Sequence, residues 1–221
     1  MSNLMTYVEK YGLISLEKQD KLEHLVGEHT YELDLDTGKA RFNDLQFPIQ
    51  ILGTESDNTL TWLWAWAEEQ AEIPAGLIAS SLDLRTWGIS TGVQELSKPS
   101  VDLNEADGLQ FSLVASEICK ASSYYRDVYE GGALYILLFG KAIDSQPPFD
   151  LNRLRKRLLF LISSYNLNHR NMLLSYLALK GLSPLATESR IMGRLWTGEF
   201  VTAEFDSSGN ITLFNGEVIT P

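Results

Sequence analysis

Trp62, Trp64 and Trp66 recur at every second position of this sequence, and Tyr124, Tyr125 and Arg126 form a second concentration of chemistry-bearing side chains. Indoles aligned on one face of an extended segment can serve in two ways. Under a covering layer they are core, burying roughly 150 to 250 Å² each, about 4 to 6 kcal/mol per indole as an upper bound. Lining a cavity inside a curved sheet, they would hold an apolar or aromatic ligand, with Tyr124, Tyr125 and Arg126 as the polar contributors. Core is the stronger reading, because the segment 61–67 carries no charge on either face: Thr61, Leu63, Ala65 and Ala67 stand opposite the indoles. Each buried indole N–H then requires an acceptor.

Other chemistry has weaker support. His24, His29 and His169 lack a metal-ligand spacing, the first two being separated by the predicted end of a helix. Cys119 stands beside Ile118 with no local histidine to activate it, so it reads as a small buried hydrophobe. No GxGxxG, GxxxxGK[ST], GxSxG or HExxH is present. Glu68 and Glu69 would point to opposite faces if the strand continued, which makes them a poor acid/base pair and better strand-end charges. Arg153, Arg155, Lys156 and Arg157 form a basic run whose default role is a solvated helix face with local ion pairs. No residue is nominated as catalytic or metal-binding, and no cofactor is called for.

The elements that must position these residues follow from length, charge and periodicity. At 221 residues and 44% hydrophobic content the chain can bury a substantial core. Its net charge of −11 repels phosphate backbones and anionic bilayers, so neither nucleic acid nor a membrane is an expected partner. A single cysteine and the lack of a secretory-type leader in MSNLMTYVEK fit a reducing cytoplasm. No apolar run approaches the roughly 20 residues of a membrane helix.

Helices are predicted at residues 2–11 and 15–26, with Ser15 as N-cap and Gly27 as stop. A hairpin at 31–42 turns on Asp36-Thr37-Gly38. Two central strands, 47–52 and 61–67, are joined by a turn at 53–58. A helix over 74–86 follows, with Leu77, Ile78, Ser81 and Leu82 inward, then a less regular helical stretch at 92–96 and a helix beginning at Asn104. Strands at 124–129 and 133–139 flank Glu130-Gly131-Gly132. Pro147-Pro148 ends this part. Beyond it, helices from Asp150 and from about 168 to 180 precede a hairpin of 199–205 and 210–214. The turn Asp206-Ser207-Ser208-Gly209 faintly echoes Asp36-Thr37-Gly38-Lys39.

Three stretches, YGLISLEKQ (11–19), QILGTESDNTLTWLWAWA (50–67) and YYRDVYEGGALY (124–135), together resemble a bacterial family of uncharacterised proteins with a G-T-x-S…T-W-L-W-A-W-A signature. The likeness runs over residues 7–142. It departs at Glu68, where members commonly carry Asn, and extends less closely to 176–182 and 203–216. It implies a cytoplasmic bacterial protein and supplies no activity. The expected fold is α+β: a mainly antiparallel curved sheet packed against helices, with a C-terminal helical hairpin and β-hairpin. Residues 1–143 would form the domain carrying the Trp-rich strand, and 149–221 an extension packed on it or continuous with it. The expected role is a non-enzymatic binding or protein-interaction module with an unidentified partner. The rival is a small-molecule binder or enzyme using the concave side of the Trp-rich sheet.

Overall fold

The computed structural model describes residues 3–68, 73–147, 150–215 and 217–219. It is an α+β protein with a curled antiparallel sheet and a second antiparallel sheet. The described residues fall into two compact units. One comprises Asn3, Leu4 and residues 18–146, and the other residues 5–17 with those from Pro147 onward.

Helix α1 (Asn3–Val26) is one element, not the expected two. Gly12 sits inside it because a Cβ there would come within 2.9 Å of Leu161, so close packing explains a residue that reads as a break. Gly27, at φ 56°, ends the helix as expected.

In the first unit, β1 (Tyr31–Asp34) and β2 (Lys39–Phe42) form the expected hairpin. Strand β3 (Leu45–Ser56) organises the sheet. It pairs with β2 through residues 45–48, with β4 (Thr61–Trp64) through 53–56, and with β7 (Gly132–Leu138) along residues 49–56. The turn expected at 53–58 therefore begins only after Ser56, because Gly53, Thr54 and Glu55 have strand partners on both sides. Strand β4 stops at Trp64 and Ala65–Ala67 is a 3-10 turn, so Trp66 leaves the alternating row.

Beyond a further 3-10 turn (Ala75–Leu77), α2 (Ala79–Thr91) lies later than predicted. It buries Ser81, Leu84 and Gly88 and leaves Leu82 exposed. A 3-10 turn (Gln94–Leu96) leads to β5 (Ser100–Asp102), which pairs with β4. Helix α3 (Gly108–Ile118) starts after Asn104: Asp107 and Gln110 make a reciprocal capping box, whereas the Asn104 side chain is committed to Asp102. Strand β6 (Ser123–Tyr129) pairs with β7, and a short helix α4 (Lys141–Asp144) follows.

The sheet is covered on both faces, as the uncharged Trp strand requires. One face packs Phe42, Phe47, Ile49, Ile51, Ile136 and Leu138 against Leu22, Val26 and Leu77. The other carries Trp62 and Trp64, both 0% exposed, against Phe111 of α3 with ring centroids 5.0 and 4.8 Å away.

In the second unit, α5 (Leu151–Ser164) and α6 (His169–Leu179) begin at side-chain caps, Asp150 and Asn168. Arg157 corrects the reading of a wholly solvated basic face. It is 4% exposed, on the side of Leu154, Leu158 and Leu161, and lies 3.6 Å from the Glu17 carboxylate. The expected hairpin is present as β10 (Phe200–Phe205) and β11 (Ile211–Phe214). It belongs to a five-stranded sheet completed by β8 (Leu185–Ala186), β9 (Arg190–Arg194) and β12 (Glu217–Val218).

The echo between the two hairpins extends beyond their turns. Asn43 (φ 52°) accepts Thr30 N–H at 2.9 Å and Asn215 (φ 49°) accepts Thr202 N–H at 2.7 Å, so the same side-chain device closes both.

Candidate functional site

Strand β6 has a strand partner on one side only among the described residues, and alternation sends its side chains to different environments. Tyr124 is core, its hydroxyl donating to Gln19 Oε1 at 2.7 Å. Tyr125, on the opposite face, stacks on Tyr31 (4.8 Å between centroids), with His29 Nε2 3.5 Å from its hydroxyl. Arg126 returns to the face of the indoles, and its side chain is 49% exposed.

A buried chain of hydrogen bonds holds Arg126. Its Nε–H donates to Tyr135 Oη at 2.9 Å; Tyr135 Oη–H donates to Glu55 Oε2 at 2.7 Å; and Glu55 Oε1 accepts the Gly108 N–H at 2.7 Å. The Arg126 guanidinium also lies 3.6 Å from Glu55 Oε2. Glu55 is thus placed at the amino end of α3, where the exposed N–H groups favour negative charge. Gly108 permits this approach, since a Cβ there would fall 2.5 Å from the Tyr135 ring and 2.8 Å from Trp62.

Burial first, then the bond to Glu55, pushes the Tyr135 phenol far above its ordinary range, which keeps it a donor. Partial burial lowers Arg126, but Tyr135, Glu55 and Asp57 together raise it, so it stays a cation. Glu55 is 7% exposed and both its oxygens are engaged. With these bonds made, the arrangement fixes a guanidinium at the surface.

Of the residues singled out in the sequence, Trp62 meets Tyr135 edge-on at 5.4 Å and thereby supports Arg126. Trp64 is core, its N–H donating to Glu95 O at 3.0 Å. Among the described residues the indole N–H of Trp62 and that of Trp66 are buried without a hydrogen-bond partner, against the expectation that each finds an acceptor. Trp66 lies apart, with the Arg85 guanidinium 4.3 Å from its ring centroid. Tyr124 turns to Gln19 and Tyr125 to Tyr31 and His29, whereas Arg126 turns to Tyr135.

The sequence pattern does not single out Glu55 or Tyr135. Glu55 falls in the expected turn and Tyr135 inside an apolar strand; the β3–β7 register brings these two together, and the register Arg126↔Tyr135 adds the guanidinium. Burial pushes the Cys119 thiol up to about 11, against nucleophilic use. Among the described residues no three His, Cys, Asp or Glu side chains converge to hold a metal.

Leu60, Val128 and Tyr129 are exposed at the tips of the neighbouring hairpins. Asp57 N–H donates to Gly131 O at 3.0 Å and sets those two turns side by side.

These features define an α+β protein whose curled antiparallel sheet presents the anchored Arg126 on a strand that, among the described residues, has a strand partner on one side. The chain belongs to a family of unknown function, DUF6882, whose profile matches residues 6–141 and so includes Glu55, Arg126 and Tyr135. No curated protein and no solved structure matches the chain. Among the described residues no helix is long and apolar enough to cross a membrane.

Proposed function

We propose that this protein is a non-enzymatic interaction module that takes an extended polypeptide segment along the edge of β6, with Arg126 engaging a carboxylate of that segment. The observation that carries this is the anchoring of Arg126. Tyr135 holds its Nε and Glu55 lies 3.6 Å from its Nη2, yet the side chain is 49% exposed, on a strand that has one edge without a strand partner among the described residues. A guanidinium positioned in this way loses little entropy on forming a two-pronged bond to a carboxylate. Strand addition supplies main-chain hydrogen bonds, and exposed Val128 and Tyr129 supply apolar contacts.

The net charge of −11 repels a run of acids, so the favoured segment has one carboxylate opposite Arg126 and neutral or basic residues elsewhere. The same charge disfavours nucleic acid, and the single cysteine favours a cytoplasmic setting. A ligand site on the indoles has less support, because Trp62 and Trp64 are fully covered. A second copy paired edge to edge about Arg126 would oppose two guanidinium groups.

Peptide-display selection tests the proposal. Enriched peptides should carry Asp or Glu at one fixed position and lose binding to Arg126→Ala and Val128→Pro. Enrichment indifferent to both variants, or none, would overturn the reading. A dimer in sedimentation that Val128→Pro dissolves would overturn it in favour of self-association.

A further inference from the structure

The second unit carries a cleft that the β6 edge does not explain. His169, the first residue of α6, is 7% exposed, and its Nδ1 accepts the Ile211 N–H at 3.0 Å. A ring nitrogen that accepts a hydrogen bond is unprotonated, so the neutral imidazole bears its proton on Nε2. The residues around His169 hold it still: Asn168 N–H donates to Glu9 at 2.7 Å, Asn168 Oδ1 caps the helix at Asn171 N (2.9 Å), and Arg170 N–H donates to Gly209 O at 3.1 Å.

His169 lines an open cleft of about 520 Å³ walled by Ile162, Ile211 and Ile219, with Asn166 and Thr212 as further polar groups. That volume lies within the range of small-molecule sites, and the mix of an apolar wall with a few polar groups is what such sites show.

We propose that this cleft binds a small, uncharged molecule with an apolar body and a carbonyl group that accepts the His169 Nε2–H. The wall of Ile162, Ile211 and Ile219 disfavours desolvating a charge of either sign, and Asp206, which also lines the cleft, disfavours an anion. Its oxygens accept Ser208 N–H, Asn210 N–H and the Asn210 side-chain amide at 2.8, 2.9 and 3.1 Å, which hold it ionised and unfavourable to an anion. Burial lowers the basicity of His169, opposed by Asp206 and Glu9, the charged groups that act on it. The donor form is therefore the resident one near neutral pH.

The test is a protein-observed NMR screen of the nitrogen-15-labelled full chain, using matched fragments that bear an amide or ketone, a carboxylate, or neither. Amide and ketone fragments should bind and shift the Ile211 and Thr212 amide signals. His169→Asn retains an acceptor for Ile211 N–H but lacks Nε2–H. It should weaken the fragments by about tenfold while melting stays within a few degrees. Ile162→Trp, which fills the cleft, should abolish binding. The proposal fails if His169→Asn binds the fragments equally well, if carboxylates are preferred, or if no fragment moves those two amides. Arg126→Ala leaves this readout untouched, so the outcome is independent of the peptide selection.

Discussion

Glu17 is the most consequential buried charge of the second unit, and Glu17→Gln removes it with little change of shape. Its side chain is 2% exposed; Oε1 accepts from Lys180 Nζ at 2.7 Å, Oε2 accepts from Tyr176 Oη at 2.7 Å, and Arg157 lies 3.6 Å away. Burial raises the Glu17 carboxyl, but the bonds from Lys180 and Tyr176 and the charges of Lys180 and Arg157 outweigh it and leave it below the ordinary carboxylate range.

Glutamine retains one acceptor and loses the charge, so two cations are left facing each other. Lys180, 16% exposed, can turn partly to water, whereas Arg157 at 4% cannot. Leaving a buried charge uncompensated costs about 3 to 5 kcal/mol. In a chain of this size that corresponds to a fall of roughly 10 °C in the melting temperature.

Urea denaturation at pH 7 should show the midpoint falling with an unchanged slope, and hydrogen exchange of the α5 and α6 amides should speed up. Because the folded pKa is depressed, the contribution of Glu17 is complete above the unfolded value, about 4.5, and is lost as pH falls through the folded value. The gap between wild type and variant should therefore close in acid. A gap under about 1 kcal/mol at pH 7 would refute the assignment of Glu17 as the counter-charge of a buried pair. A gap that is unchanged at pH 3 would refute it as well.

Trp64→Ala should cost about 3 to 5 kcal/mol, because the indole is 0% exposed against Phe111; a variant with unchanged melting would contradict its place in the core. Tyr135→Phe strips a donor from Glu55 and an acceptor from Arg126, with an expected loss of about 1 to 3 kcal/mol by denaturant titration. Peptides selected through Arg126 should also bind the Tyr135→Phe variant more weakly. Cys119, with its thiol pushed up to about 11, should resist iodoacetamide at pH 7.5 in the folded chain and react in urea; fast labelling of native protein would show that the thiol is reachable.

Much of the architecture is written locally. The uncharged alternation over 61–64 demands cover on both faces, Asp150 and Asn168 mark helix starts, and Gly27 marks a stop, because each depends only on neighbours a few residues away. The first hairpin, the β6–β7 hairpin and the α+β class follow from the same signals.

Long-range partners decided the rest. Glu55 looks like part of a polar turn until it is paired with Gly108, 53 residues away, and Tyr135, 80 residues away. Arg157 looks solvated until Glu17 is placed beside it. Gly12 looks like a helix break until Leu161 packs against it. The physical reason is common to all three: the cost of burying a charge or omitting a side chain depends on what lies across the gap. Strand register and helix docking decide that, and neither is encoded in the periodicity of a single segment.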